Sequence, residues 1–249
     1  MDPIKRDLSV FEKFNFERPP IAVKYLMKKP EGINRINRKI ALCEMLGEAQ
    51  KGTPFYITKD DFECVGPFIL GMVAPDDLFE SGQVGYKLGI FEEPRANSRL
   101  YKYVPMMPKG TVRYAVFAPI DKLTFNPDVV VITANPNQAE VVMRALVYTT
   151  GKLWESKLTP VMGCAWMFVY PRVTGEVNYF VTNLVHGMRG RQVLPDGTFV
   201  ISIPWDLISL ITENLNHMEW VLPEFTRDRD ANARAFEKEI QEIIKELAE

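Results

Sequence analysis

The sequence has few cysteines and no excess of charge of either sign. It contains three cysteines in 249 residues, and its 30 Lys and Arg nearly balance its 32 Asp and Glu, which gives a formal net charge of −2. So few cysteines exclude a small disulfide-rich fold. The lack of a basic excess argues against a nucleic-acid partner, because phosphate contacts need clustered Lys and Arg.

Long apolar runs are also missing. No run of about 18 apolar residues is present, so no membrane partner is expected. The first residues, Met1–Asp7, mix both charge signs and lack the apolar core of a signal peptide. We therefore predict a cytoplasmic protein. Hydrophobic residues make up 47% of the chain, which is typical of a globular protein and excludes an intrinsically disordered one.

The apolar segments predict an α/β fold, with α+β as the alternative. Segments rich in β-branched and aromatic residues alternate with segments of helical periodicity. Strands are predicted at 21–25, 55–58, 112–118, 128–133, 165–170, 178–182 and 199–203, and helices at 40–49, 67–72, 139–149, 205–216 and 230–247. No low-complexity linker divides the chain, so we expect a single compact domain, 1–249, with a mixed sheet covered by helices.

Two features of the order along the chain add to this prediction. A helix that ends at Gly52 is followed by Cys64, and a helix that ends at Gly151 is followed by Cys164. This similarity predicts an internal duplication with two related halves, 21–125 and 126–225, that face a shared site. The last helix, 230–247, carries its apolar residues on one stripe and is predicted to cover the core.

Cys43, Cys64 and Cys164 are candidate metal ligands. Structural disulfides are rare in the cytoplasm, whereas thiolates bind iron–sulfur clusters and zinc. The three cysteines are widely spaced and form no C-x-x-C pair, so the standard zinc and ferredoxin motifs are absent. Two interpretations stay open, since the cysteines either converge on one metal centre or pack as small hydrophobic residues.

Two further groups are candidate ligand-binding residues. Asn135 and Gln138 follow the strand at 128–133, where α/β proteins often bind ligands, but Asn135-Pro136-Asn137 would also make a good helix N-cap. His186, Arg189 and Arg191 lie around glycines, and the two guanidinium groups suit a carboxylate or phosphate; the alternative is an exposed turn with solvated charges. The sequence has no G-x-S-x-G, H-E-x-x-H or P-loop motif, so no catalytic residue is assigned.

A set of short motifs between about Ile21 and Pro204 resembles the uncharacterised family catalogued as domain of unknown function 169. The motifs are Arg38-Lys39 ahead of Cys43, Ala49-x-x-Gly52, Cys64-x-Gly66 with Leu70-Gly71, Pro127-Asp128-Val129-Val130 with Asn135-Pro136-x-Gln138, Gly151, Gly163-Cys164 and Gly187-x-Arg189. The resemblance implies cysteines at these three positions and so favours a shared thiolate site. It implies no particular reaction.

The sequence thus predicts that the three cysteines hold an iron–sulfur cluster, such as 4Fe–4S, or zinc as the alternative metal. An open coordination position would act on or sense a small anionic molecule, which Arg189, Arg191 and Asn135 would position. The alternative is a metal-free domain that binds a small molecule or nucleotide, or has a regulatory role, with structural cysteines. A purely structural subunit is a third interpretation. The sequence leaves open whether the protein is an enzyme.

Overall fold

The computed structural model describes residues 6–75 and 77–248, and this part of the chain contains one seven-stranded sheet. The strand order is β2-β3-β4-β1-β5-β7-β6. All neighbouring strands pair antiparallel except β2 and β3, so the sheet is mixed. The strands are β1 (Ile21–Leu26), β2 (Asn34–Arg35), β3 (Phe55–Ile57), β4 (Tyr114–Pro119), β5 (Val129–Ala134), β6 (Asn178–Val181) and β7 (Phe199–Pro204).

Helices pack on both faces of the sheet. They are α1 (Glu44–Ala49), α2 (Gly66–Ile69), α3 (Asp77–Glu80), α4 (Gln83–Lys87), α5 (Pro94–Tyr101), α6 (Pro136–Val147), α7 (Tyr170–Thr174), α8 (His186–Gly190), α9 (Ile208–His217) and α10 (Arg229–Ala248). A π-helical turn, Ala165–Val169, leads directly into α7. The predicted α/β fold with a mixed sheet covered by helices is confirmed.

Alternate side chains of the sheet build two separate cores. On β5, Val129 and Val131 belong to the first core, while Val130 and Ile132 belong to the second. The first core includes α1, α2 and the π-helical turn, and the second includes α6 and α9. Every residue of β5 is buried, which explains its unbroken run of β-branched residues.

The strand predicted at 165–170 is wrong. Residues Ala165–Val169 form the π-helical turn and all five are buried in the first core. Periodicity cannot separate a strand from a helix when every side chain of a short apolar run is buried. The turn is held by the indole of Trp166, which donates to Thr159 Oγ1 at 2.8 Å, and by Asn178, which donates to the Trp166 carbonyl at 3.2 Å.

The strand order is symmetric about the central pair β1 and β5. On one side β4 and then β3 follow β1, and on the other side β7 and then β6 follow β5. Both β4 and β7 end at a proline, Pro119 or Pro204, that begins a 3-10 turn. The duplication of 21–125 and 126–225 stays a prediction, and it would produce this order. In such a duplication Cys164 would correspond to Cys43, and not to Cys64 as the sequence order suggests, because each immediately precedes the helical segment that leads into β3 or β6.

The C-terminal helix α10 does not form the contact predicted for it. None of its residues is buried, and the apolar stripe of Phe236, Ile240, Ile243 and Leu247 is exposed. It therefore covers no part of the core in the chain alone. In the described part of the chain, no helix combines the length and apolarity needed to cross a membrane.

Candidate functional site

The structure brings Cys43, Cys64 and Cys164 together at the edge of the first core. Cys43 immediately precedes α1, Cys64 lies just before α2, and Cys164 precedes the π-helical turn. Burial raises the pKa of all three thiols, to about 12 for Cys43. Neighbouring thiols raise the pKa further, since Cys64 acts on Cys43 and both act on Cys164. Three distant segments of the chain thus place a cysteine near one another.

The raised pKa values determine the chemical state of the free thiols. At neutral pH a thiol with a pKa near 12 is protonated, and the protonated form is a poor nucleophile. Nucleophilic catalysis by these cysteines is therefore disfavoured. A metal would bind by displacing the protons, because only the thiolate is a ligand.

The sulfur of Cys64 is held by two backbone donors. The N–H of Leu42 donates to Cys64 Sγ at 3.2 Å and the N–H of Gly66 donates at 3.3 Å. These donors lower the pKa of Cys64, against the larger effect of burial. N–H groups directed at sulfur also stabilise a metal-bound thiolate and fix its orientation. The Leu42 bond joins the segment of Cys64 to the segment of Cys43.

Glycines next to the cysteines allow this close packing. A Cβ at Gly66 would overlap the ring of Phe62. A Cβ at Gly163, the residue before Cys164, would lie 2.6 Å from the side chain of Val185, which is buried. Any larger residue at either position would displace the neighbouring cysteine segment.

Arg191 links the segments of Cys43 and Cys64. Its Nη1 lies 2.5 Å from Glu63 Oε1 and 3.3 Å from Glu44 Oε2, and these two glutamates are neighbours of the cysteines in sequence. Against the effect of burial, the guanidinium lowers the pKa of Cys43 and Cys64. One positive charge thus lies beside the thiols, where it would offset the negative charge of thiolates.

His186 and Arg189 do not join this group. Both side chains are exposed on α8, and neither makes an ion pair with the described residues. Val185 and Met188 of the same segment are buried in the first core, so α8 anchors the loop that carries Arg191. Of these three predicted ligand-binding residues, Arg191 is the one that contacts the cysteine segments.

Asn135 and Gln138 lie at a different place. The side chain of Asn135 accepts from the Gln138 N–H at 2.9 Å, and Gln138 accepts from the Asn135 N–H at 3.0 Å, which is a capping box for α6. Gln138 Nε2 also donates to the Phe14 carbonyl at 3.0 Å. The two side chains line a cleft of about 350 Å³ together with Arg18 and Thr198, and none of the cysteines lines it.

The geometry of the thiols differs from that of a zinc site. In residues 6–75 and 77–248, no three Cys, His, Asp or Glu side chains are arranged to hold a single metal ion. A zinc ion with Zn–S distances of about 2.3 Å would need its sulfurs within about 4 Å of one another. The three thiols are thus neighbours without that tetrahedral arrangement.

Sequence reasoning missed Glu44, Glu63 and a hollow beside Cys64. The signal for the glutamates was their position next to a cysteine, but their shared partner Arg191 lies far along the chain. The hollow has a volume of about 410 Å³ and is lined by Cys64, Glu63 and aromatic residues such as Phe68 and Phe79. Its lining residues all lie between Phe62 and Phe79, but the space depends on how this segment folds, which the pattern of apolar residues does not indicate.

Comparison with known proteins agrees with the motifs of the sequence. A family model described as Uncharacterised ArCR, domain of unknown function 169, matches residues 10–214. The chain is 24% identical over 223 residues to an uncharacterised protein of Methanocaldococcus jannaschii. The aligned region covers 85% of this chain and 93% of the relative. No solved structure matches the chain. The matched range contains all three cysteines and Arg191, and the protein belongs to this family of domain of unknown function 169.

Proposed function

We propose that Cys43, Cys64 and Cys164 ligate an iron–sulfur cluster, such as 4Fe–4S, with one iron left open to act on or sense a small anionic molecule. The observation that carries the proposal is the convergence of three thiols from three segments. The N–H of Leu42, next to Cys43, donates to Cys64 Sγ, and the thiols of Cys43 and Cys64 both raise the pKa of Cys164. Packing as small hydrophobic residues explains the burial of Cys43 and the partial burial of Cys64 and Cys164. It gives no reason for the three to gather at one place.

The surroundings of the thiols support metal ligation. Two N–H groups point at Cys64 Sγ, and Arg191 places a positive charge beside Cys43 and Cys64. Both features stabilise the anionic sulfur that a metal requires. When bound, a cluster with an open iron supplies Lewis-acid or electron-transfer chemistry.

We prefer a cluster to zinc, which remains the alternative metal. In a cluster each sulfur binds a different iron, so the thiols need not surround a single point. The described thiols are neighbours without the arrangement that one metal ion needs. The proposal includes the cytoplasmic location expected from the sequence, where thiols stay reduced.

Arg191 is the residue best placed to bind the anion. Its side chain is 37% exposed and is held by the carboxylates of Glu44 and Glu63, so an incoming anion would compete with them. Arg189 is exposed on the neighbouring helix and would add to the positive potential at the entrance.

A metal-free binding or regulatory domain is the second candidate function. It is favoured by the cleft of about 350 Å³ at Asn135, which lies at the end of β5 and the beginning of α6, and which Arg18 lines. Such a position suits a nucleotide or a carboxylate. In this case the cysteines would be packing residues and the protein would hold no iron.

The two functions differ in the effect of removing a thiol. Cys164→Ser, purified without oxygen, should lose the iron and acid-labile sulfide of the wild type, because serine oxygen is a poor ligand for a cluster. Ala49→Ser is the matched control, since it adds a buried hydroxyl to the same core away from the thiols. Circular dichroism would show whether both variants fold. Equal iron and sulfide in Cys164→Ser and the wild type would contradict the proposal.

A further inference from the structure

The hollow beside Cys64 shares two lining residues, Phe68 and Phe79, with a second hollow. The first, of about 410 Å³, is lined by Phe62, Glu63, Cys64, Val65, Phe68 and Phe79 among others. The second, of about 380 Å³, is lined by Phe68 and Phe79 again and by Glu80, Ser98, Tyr101, Lys102 and Met106. We call the two together the α2–α5 groove. Each hollow alone has the volume of a small-molecule site.

The groove has an apolar middle and a polar end. Phe68 and Phe79, which line both hollows, are only half-buried, so a ligand that covered them would gain hydrophobic stabilisation. Cys64 and Glu63 lie at one end, and Tyr101 and Lys102 lie at the other. An apolar wall with a few polar groups at its ends is typical of a site for one elongated ligand.

Tyr101 is oriented by a buried partner and has a proton to donate. The side chain of Asn97, fully buried, donates to Tyr101 Oη at 2.9 Å and to the Gly82 carbonyl at 3.0 Å. Tyr101 Oη accepts this bond, and in the described part of the chain its own O–H has no acceptor. Burial raises the pKa of Tyr101, so the hydroxyl keeps its proton at neutral pH.

Lys102 adds a positive charge at the same end. Its ammonium makes no ion pair with a carboxylate of the described residues, even though Glu80 lies on the same rim. A hydroxyl donor and an ammonium side by side match the two oxygens of a carboxylate.

We propose that the α2–α5 groove binds a small molecule with an elongated apolar body and a terminal carboxylate. The carboxylate lies at Tyr101 and Lys102, the apolar body covers Phe68 and Phe79, and the opposite end of the molecule approaches Cys64. The last part rests on the proposed function, because it brings the ligand to the open iron. The binding itself depends only on the groove.

The experiment measures binding of three probes by titration calorimetry, below the concentration at which they form micelles. Decanoate, decylamine and decanol share an apolar chain and differ in their terminal group. We expect decanoate to bind about tenfold more tightly than decylamine or decanol, because its charge is the one that matches the hydrogen-bond donors. Equal affinity for decanoate and decylamine would overturn the proposal.

Two substitutions locate the carboxylate. Lys102→Gln and Tyr101→Phe should each weaken decanoate binding about fivefold to tenfold and leave decanol unchanged. Lys109→Gln, an exposed lysine outside the groove, is the matched control and should have no effect. Decanoate binding that is unchanged in both groove variants would place the ligand elsewhere and contradict the proposal.

Cys164→Ser separates this proposal from the proposed function. The variant should keep decanoate binding and lose iron, because Cys164 does not line the groove. A wild type that binds iron but shows no preference for decanoate would refute the groove alone. A wild type that binds decanoate but holds no iron would refute the cluster and leave the groove intact.

Discussion

The cysteine site and the cleft at Asn135 contain polar groups in very different states. Asn135 and Gln138 cap α6 and bind the Phe14 carbonyl, so their hydrogen bonds already stabilise the fold. Cys43 is buried, Cys64 and Cys164 are partly buried, and none of the three forms a disulfide. Cys64 raises the pKa of Cys43, and both raise the pKa of Cys164. The comparison shows that the polar residues at the end of β5 need no ligand to explain them; a metal held by the gathered thiols is the proposal that the following substitutions test.

The strongest test of this comparison is Gly163→Ala. The added Cβ would lie 2.6 Å from the buried side chain of Val185, so we expect a loss of about 1–3 kcal/mol in the free energy of unfolding. The displaced Cys164 should also lower the iron content. Urea unfolding and iron analysis measure the two effects.

Gly187→Ala is the control for this substitution. Its Cβ meets no atom within 4 Å, so both stability and iron content should stay at the wild-type level or above. A Gly163→Ala protein with full iron content would contradict a role of the Gly163–Val185 contact in placing Cys164.

A smaller loss of stability is expected from a substitution in the cleft at Asn135. Asn135→Ala removes the cap of α6 and should lower the free energy of unfolding by about 1 kcal/mol with no change in iron content. Asn137→Ala, an exposed residue two positions later, should have little effect on either quantity. Loss of iron in Asn135→Ala would contradict the separation of the two sites.

The metal-free protein should lose stability in alkali. The folded pKa of Cys43 is raised from 9.0 to about 12, so above pH 9 the unfolded chain releases this proton while the folded chain keeps it. Unfolding is then favoured as the pH rises, by about 1 kcal/mol at pH 10 for this thiol. Urea unfolding at pH 8 and pH 10 should show a smaller loss in Cys43→Ser, because serine does not titrate. The same loss in both proteins would contradict the assigned burial of the thiol.

The smallest effect is expected for Arg191→Gln. The ion pairs of Arg191 are partly exposed, so their loss should cost well under about 1 kcal/mol of stability. The positive charge beside the thiols is lost as well, and a chelator should remove iron about threefold faster. Arg189→Gln is the control, because Arg189 makes no ion pair with the described residues. Equal rates of iron removal in the two variants would show that Arg191 does not belong to the cysteine site.

The sequence predicted the parts of the fold that local chemistry controls. The β-branched run of β5 and the Asn135 cap of α6 are properties of a few neighbouring residues. The turn Ala165–Val169 was mistaken for a strand because its side chains are buried on all sides, which removes the periodic signal. The sequence also could not predict that the apolar stripe of α10 is exposed, because a stripe of apolar residues does not indicate which surface it contacts.

The candidate site was predictable only in its residue types. Cysteine chemistry and the motifs around Cys64 and Cys164 indicated a thiolate site, but no spacing rule says that segments so distant meet. The partners of Arg191 and the separation of Asn135 from the thiols depend on how α1, α8 and β5 are placed around the sheet. Such placement follows from the packing of the whole domain.

The most direct measurement is the metal and sulfide content of the wild-type protein purified without oxygen, together with its visible spectrum. The account predicts a coloured protein with iron and acid-labile sulfide in matching amounts and little zinc. A colourless protein without iron or sulfide would contradict it, and would move the search for function to the cleft at Asn135.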